Sequence, residues 1–334
     1  MHAGKRYTLK EFLWWTRRDI YVLAIISAIP VLLFRFLGWK WLAIPWVPIA
    51  LIGTAAAFIV GFRNTQTYNR LWEARQIWGA IVNTSRAWGI LVKDFVTSNN
   101  DEQLYTIQRQ LIYRHIAWLT ALRFQLRESR TWENIKGKIS NEEYSQTYSV
   151  DEWKNKVDEA LKPFLSESEL QYVLSKKNRA THIISLQSKQ LRELKEKGFI
   201  DPLNHIELEN LLVNLYEQQG KCERIKNFPY PRQFATINQM FVRCFVFLIP
   251  FGMLNEFQKL GEHMIWLTVP FAATVGWIFM AMEKVGESTE NPFEGGANDV
   301  PITAMTRTIE IDLREMLDEK DLPPAISPVN SILM

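Results

Sequence analysis

Hydrophobic residues gather in four stretches near the two ends of the chain, and the region between them is polar. A helix that crosses a bilayer needs about 20 apolar residues. Residues 42–62, which carry no charge, and residues 264–282 meet this requirement alone. Residues 20–34 and 234–254 are weaker, but each lies a short loop away from a strong stretch. The pattern predicts four membrane-spanning helices in two hairpins, with Arg243 as the only charge inside them.

The polar region between the hairpins has the spacing of amphipathic helices and no strand pattern. Its first helix follows the second span without Gly or Pro for about 16 residues, which predicts a helix that leaves the membrane and enters a helical bundle. Asp201 and Pro202 are typical of the N-cap and first residue of a later helix, which Gly220 is expected to end. Residues 301–317 predict a last helix, and the tail beyond residue 322 is expected to be extended.

The predicted fold is therefore all-α, with four transmembrane helices and a helical cytosolic region. Its segments are residues 1–63 with the first two spans, 64–231 with the helical region, 232–285 with the last two spans, and 286–334 as a tail. Basic residues flank the spans on the side of the termini and of the middle region, which predicts that all of these lie in the cytoplasm. A soluble protein that buries the four helices is the alternative, and the long uncharged run disfavours it.

Charge, cysteines and motifs exclude several functional classes. The net charge of +3 is too small to indicate nucleic-acid binding. The only cysteines, Cys222 and Cys244, cannot form a disulfide framework or a metal cluster. No nucleotide-binding or hydrolase motif is present, and His115, near an apolar stripe, is expected to be a hydrogen-bonded core residue. We therefore expect no enzymatic activity, no cofactor and no metal.

The second predicted span carries two rows of residues, each with members four positions apart. The small row, which allows close helix approach, consists of Gly53, Ala57 and Gly61. The Thr-Phe-Phe row lies about 100° further around the helix and consists of Thr54, Phe58 and Phe62. The second row faces either lipid and neighbouring helices or, if several copies surround an axis, a pore that narrow apolar rings can gate by dewetting. The residues alone leave both interpretations open.

Three motifs flank the predicted spans. The longest starts at the end of the second span and comprises residues 61–64 (GFRN), 68–75 (YNRLWEAR) and 82–86 (VNTSR). The others are 229–231 (PYP) before the third span and 291–293 (NPF) after the fourth. In sequence and spacing these motifs resemble those of bacterial bestrophins, and the resemblance covers nearly the whole chain.

The resemblance implies a homopentamer around one central pore in a bacterial plasma membrane. The partners would be other copies of the chain, membrane lipid and permeant monovalent ions, with anions such as chloride as the expected cargo. Thr54, Phe58 and Phe62 match the family's hydrophobic neck, and the family often has larger apolar residues at all three positions. Thr54 therefore predicts a ring that is wetted more easily. The family's cytosolic aperture matches Leu203, near Asp201.

Several alternatives remain at this point. Helix N-termini near the axis favour anions, but Asp201 adds carboxylates there, so a cation-selective channel of the same fold is possible. A transporter would need ionisable residues or broken helices within the spans. A membrane scaffold without conductance would use the helical middle to bind a partner. For Leu203 alone, the alternative is ordinary core packing.

Calcium activation is not expected. Eukaryotic bestrophins bind calcium in an acidic run after the Asn-Pro-Phe motif, and here that run contains only Glu294 and Asp299 as acidic residues. Calcium prefers six to eight oxygen ligands.

Overall fold

The computed structural model describes the whole chain, Met1–Met334, as helices joined by loops, with isolated bridges and no regular strand. This confirms the all-α prediction. The helices are α1 (Leu9–Phe36), α2 (Trp46–Phe95), α3 (Asp101–Arg127), α4 (Ile139–Ser145), α5 (Asp151–Lys154), α6 (Val157–Leu161), α7 (Glu167–Leu174), α8 (Arg179–Glu196), α9 (Pro202–Asn227), α10 (Arg232–Gln258), α11 (Thr268–Ser288) and α12 (Ile302–Met316).

Four helices are long and apolar enough to cross a membrane, namely α1, the first part of α2, α10 and α11. The four predicted spans are thereby confirmed. The second begins later than expected, because Pro45 takes the N-cap position and residues 40–42 form a separate 3-10 turn. A similar turn, Met264–Leu267, precedes α11. Helices α1 and α10 continue through Pro30 and Pro250 without interruption.

The pair α10–α11 forms the centre of the membrane part. Helix α1 packs mainly on α11 and α2 mainly on α10, so the central pair separates α1 from α2. Close approach depends on glycine, since a Cβ at Gly276 would lie 2.8 Å from the side chain of Leu23. A Cβ at Gly252 would likewise lie 2.6 Å from the side chain of Ile49. Small residues thus replace a large core as the means of packing these helices.

Beyond the membrane, the second part of α2 joins α3–α9 and α12 in a unit that we call the extramembrane bundle. Helix α2 is 50 residues long and continuous. Helix α9 packs along it in the opposite direction, because the Thr97 N–H donates to Phe199 O (2.9 Å) at the distal end, whereas Arg224 pairs with Glu73 (2.5 Å) near the membrane. The bundle surrounds one large hydrophobic core.

Two local predictions have different outcomes. His115 is buried and its Nε2 lies 2.9 Å from Ser85 Oγ, which confirms a hydrogen-bonded core histidine. The prediction that Gly220 ends α9 is wrong, because the helix continues to Asn227. Gly220 lies on the exposed side with nothing near its missing Cβ, while Cys222 beyond it is fully buried and keeps the helix packed.

The tail after α12 is extended and returns to the other end of the chain. An isolated antiparallel bridge joins His2 and Ile332, the Ala3 N–H donates to Ser331 O (2.7 Å), and the Ala304 N–H donates to Met334 O (2.7 Å). Both termini therefore lie together against the extramembrane bundle.

Candidate functional site

Helix α2 has one face that packs on its own chain and one face that does not. The buried face follows a spacing of four and three residues through the membrane part: Ile49, Gly53, Ala56, Val60, Arg63 and Thr67. Phe58 is 76% exposed and Phe62 is 48% exposed, because each lies about 200° from a buried residue two positions away. The Thr-Phe-Phe row therefore does not pack on helices of its own chain. Neighbouring helices of the same chain are thus excluded as what the row faces, and lipid, another copy or a pore remain.

Only one member of the small row packs on another helix of its own chain. Gly53 does lie against the ring of Phe245 on α10, but Ala57 is exposed and Gly61 has nothing near its missing Cβ. A spacing of four advances about 40° further than one full turn at each step, so the row drifts away from the buried face.

The hydroxyl of Thr54 donates its hydrogen bond to a backbone carbonyl of its own helix. Its Oγ1 donates to Ala50 O at 3.0 Å, and Thr65 makes the same bond to Gly61 O at 3.0 Å. Both side chains are exposed, and each presents a methyl group and oxygen lone pairs rather than a free proton. The chemistry at these two positions is thus that of a weak acceptor beside an apolar surface.

The exposed face of α2 continues beyond the Thr-Phe-Phe row, which the sequence reasoning missed. Thr65, Asn69, Trp72 and Gln76 are all exposed and lie within about 40° of Phe58 around the helix. None of the four is charged, and together with the row they form one uncharged stripe, which we call the α2 stripe. The sequence contains a signal for this extension, since residues 62, 65, 69, 72 and 76 are three or four positions apart and so lie on one side of the helix.

A buried ionic cluster fixes the rotation of α2. Arg63, the neighbour of Phe62, donates to Glu283 on α11 (2.8 Å) and to Glu290 after α11 (2.6 Å). Arg232 at the start of α10 completes the cluster through Glu290 (2.9 Å). Because Arg63 is held inward, Phe62 is held outward. The sequence indicates Arg63 as a basic flank and as part of the motif at residues 61–64, but it does not predict the ion pairs of Arg63, since its partners lie more than 200 positions away.

The N-terminus of α9 has the predicted capping arrangement. Asp201 Oδ1 accepts a hydrogen bond from the Leu203 N–H at 2.9 Å, and Pro202 occupies the first turn. Leu203 is 74% exposed, so ordinary core packing within the chain is excluded. Ile206 and Val213 are also exposed and follow Leu203 on the same side of α9.

The structure does not bring the Thr-Phe-Phe row and Leu203 together. Phe62 and Val96 are separated by about 50 Å along α2 at the ordinary helical rise. The strand-like bridge between Val96 and Ile200 places the start of α9 at that distal end. The two groups of candidate residues therefore occupy opposite ends of the α2–α9 pair.

The loop after α11 is buried, and its two acidic side chains find hydrogen-bond or ion-pair partners within the chain. Asp299 accepts from Arg127 (2.6 Å) and from the N–H groups of Phe293 (2.9 Å) and Gly295 (2.8 Å). Glu294 accepts from the Asn134 N–H (3.0 Å), and burial raises its pKa to about 8. No group of three or more His, Cys, Asp or Glu side chains is arranged to hold a metal ion. Asp299 is thus already neutralised by a guanidinium.

These features define a class: a membrane protein with four spanning helices and a helical bundle, whose longest helix presents an uncharged stripe away from its own chain. The model of the bacterial/fungal bestrophin family matches residues 16–315, so the chain belongs to that family. The membership confirms the resemblance inferred from the sequence motifs.

Known relatives agree with this assignment. The voltage-dependent anion channel-forming protein YneE of Salmonella typhi is 26% identical over 303 residues, which cover 91% of this chain and 86% of the relative. The YneE protein of Escherichia coli K12 is 26% identical over 309 residues, covering 92% and 87%. A crystal structure of a bacterial bestrophin homolog from Klebsiella pneumoniae has a TM-score of 0.76 at 22% identity, covering 91% and 99%, and shares the fold. Family and relatives indicate a channel and not an enzyme.

Proposed function

We propose that this chain forms an ion channel of the bestrophin type that passes monovalent anions such as chloride. The observation that carries the proposal is the α2 stripe, an exposed and uncharged surface that starts inside the membrane and continues into the extramembrane bundle. A single chain gains nothing from exposing Phe58, Phe62 and Trp72 along one line. Copies arranged around an axis would convert that line into a pathway. The names of the relatives support anions as the cargo.

In this channel the Thr-Phe-Phe row forms the neck. Copies of α2 around the axis stack rings at Thr54, Phe58 and Phe62 over about 12 Å. Narrow apolar rings expel water, and ions pass only when the neck is wetted. The oxygen of Thr54 makes its ring the easiest to wet. Leu203 forms a second aperture at the distal end of the bundle.

The sign of the selectivity depends on two opposing groups at the distal aperture. The N-termini of α9 place partial positive charge near the axis, which favours anions. Asp201 is exposed and adds one carboxylate per copy at the same place, which favours cations. This specific feature makes a cation-selective channel of the same fold the second candidate.

The transporter alternative loses support from the geometry of the spans. It needs broken helices or paired ionisable groups at the bilayer centre. Helices α1 and α10 run through Pro30 and Pro250 unbroken, and the Arg63 cluster lies where α2 leaves the membrane. A scaffold without conductance would have the same fold and differs only in passing no current.

The proposal also covers the oligomeric state of the chain, its orientation and the membrane in which it lies. We infer a homopentamer from the resemblance to bestrophins, surrounded by lipid in the bacterial inner membrane. The basic flanks Arg17, Arg18 and Arg75 support a cytoplasmic location for the bundle. Because the two termini meet at the bundle, both would then lie in the cytoplasm as well.

The proposal is tested by current from the purified protein in a planar bilayer under a tenfold NaCl gradient. A reversal potential near the chloride equilibrium value is expected. A value near the sodium equilibrium value would replace the first candidate with the second. Absence of current from well-folded oligomers, with voltage varied, would contradict both and favour a scaffold.

A further inference from the structure

A cavity of about 340 Å³ lies at the membrane boundary between α1, α10, α11 and the segment that begins α4. Its polar wall includes Arg18, Lys138, Gln239 and Arg243. The level follows from the chain itself, since the apolar stretch of α1 begins just after Arg18 and that of α11 ends just before Glu283. The continuous apolar part of α10 begins just after Arg243, so Arg243 lies at the bundle end of its span and not in the middle of it, where the predicted bounds put it. This is the depth at which lipid headgroups lie.

Arg243 is the unbalanced charge of this cavity. The other charged residues of the wall are paired: Arg18 with Glu143 (2.5 Å), Lys138 with Glu287 (2.9 Å), Lys284 with Asp19 (2.6 Å) and Glu283 with Arg63 (2.8 Å). Arg243 is exposed and makes no ion pair or side-chain hydrogen bond in the chain. A guanidinium at a bilayer edge attracts anionic headgroups, and its planar fork matches phosphate oxygens.

The surface around Arg243 suits a lipid better than a soluble anion. Met240 is 62% exposed and Phe247 is 54% exposed, and they lie one turn on either side of Arg243 on the same face of α10. Phe247 is on the bilayer side of Arg243 and offers a contact for an acyl chain, while the guanidinium takes the headgroup.

The position of the cavity also favours lipid. No residue of α2 lines it, and the α10–α11 pair separates α2 from α1. If α2 surrounds the axis, as in the proposed function, the cavity opens toward the periphery of the assembly, where lipid is the neighbour. This step alone rests on the proposed function.

We propose that this cavity binds the phosphate of an anionic phospholipid, with Arg243 as the principal contact and Gln239 and Ser140 as neutral donors beside it. The lipid would bridge α1, α10 and the start of α4, and so tie the spans to the extramembrane bundle.

Native mass spectrometry of the delipidated oligomer tests the proposal. Phosphatidylglycerol, phosphatidylcholine and soluble glycerol 3-phosphate are titrated in parallel. Arg243→Gln should weaken phosphatidylglycerol binding about fivefold, which corresponds to the roughly 1 kcal/mol of one basic residue at an anionic surface. Arg243→Lys should retain binding. The matched control is Arg35→Gln, an exposed arginine at the opposite end of α1 that pairs with Glu262 (3.4 Å).

Three outcomes would overturn the proposal. The first is equal phosphatidylglycerol binding by wild type and Arg243→Gln. The second is glycerol 3-phosphate binding as tight as that of the lipid, which would indicate a soluble anion. The third is an oligomer that dissociates in Arg243→Gln with lipid binding unchanged, which would indicate that another copy supplies the partner of Arg243.

A second variant is used if Arg243→Gln does not assemble. Ser140→Phe fills the cavity and should abolish phosphatidylglycerol binding. Retained binding in Ser140→Phe would contradict the proposal. The readout needs no current, so it stands apart from the test of channel activity.

Discussion

The membrane part and the extramembrane bundle of this chain are held together by different means. The bundle contains one hydrophobic cluster of 36 buried residues. The spans contain three small clusters, none larger than five residues. Lipid is as apolar as leucine, so burial of apolar side chains drives folding of the bundle but not association of the spans.

Because the spans lack a large hydrophobic core, a few specific contacts determine how they pack. Glycine contacts bring the helices together, and the buried cluster of Arg63, Glu283 and Glu290 fixes how α2 is rotated. The outward face of α2 is left available for assembly or for a pathway. The bundle, by contrast, fixes α2 through many interchangeable apolar contacts.

Removal of Arg63 should have the largest effect. Arg63→Ala leaves the buried carboxylate of Glu283 without its guanidinium and leaves Glu290 with Arg232 alone. The loss of one partner from a buried ion pair costs about 3–5 kcal/mol. Thermal unfolding of the purified protein measures this loss. Arg86→Ala, which removes an exposed pair with Asp312, should cost less than about 1 kcal/mol. Equal losses in the two variants would show that the cluster does not fix α2.

The buried carboxyl of Glu294 should make stability fall as pH rises. Burial raises its pKa from 4.5 to about 8. Between these values the folded chain holds a proton that the unfolded chain has released, so the free energy of unfolding decreases with pH up to about 8 and then levels. Glu294→Gln should reduce this slope in melting curves recorded from pH 5 to 9. The exposed control Glu315→Gln should retain it, and an unchanged slope in Glu294→Gln would contradict the assignment.

Shortening the Thr-Phe-Phe row should change conduction but not stability. Phe58→Ala with Phe62→Ala widens and wets the neck, so single-channel conductance or open probability should rise roughly twofold or more. The melting temperature should stay within about 2 °C, because both side chains are exposed in the chain. Ile25→Ala on α1, which is also exposed, is the matched control. Unchanged single-channel behaviour in the double variant would place the row against lipid.

The smallest effects are expected at the distal aperture. Asp201→Asn keeps a good N-cap and removes the charge, so it should shift the reversal potential toward chloride without loss of stability. Asp201→Ala should also lose about 1 kcal/mol from the missing cap. Leu203→Ala should alter ion preference or rectification. A reversal potential that stays unchanged in all three variants would remove the aperture from the pathway.

Local signals in the sequence predicted much of this fold. Apolar run length located the four spans, and the Asp201–Pro202 signal located the start of α9. Gly220 misled, because a glycine on the exposed side of a packed helix does not end it. Only Gly53 of the small row packs within the chain, because the buried face alternates between spacings of four and three whereas the row keeps a spacing of four.

The remainder depended on contacts between distant parts of the chain. Nothing near Arg63 in sequence indicates that it pairs with Glu283 and Glu290. The return of the tail to His2 and the cavity around Arg243 likewise arise from the packing of separate helices. The outward direction of the Thr-Phe-Phe row became evident only when the opposite face of α2 was seen to be buried.

The central claim is that the α2 stripe lines the ion pathway, and cysteine accessibility tests it most directly. Cys222 is buried and Cys244 is exposed, so Cys244→Ala provides the background. Cysteine is then placed at Phe62, at Thr65 or, as control, at Ile25, and a charged methanethiosulfonate reagent is added during current recording. The account predicts a changed current at Phe62 and Thr65 and none at Ile25. An unchanged current at both stripe positions, with labelling verified by mass, would contradict it.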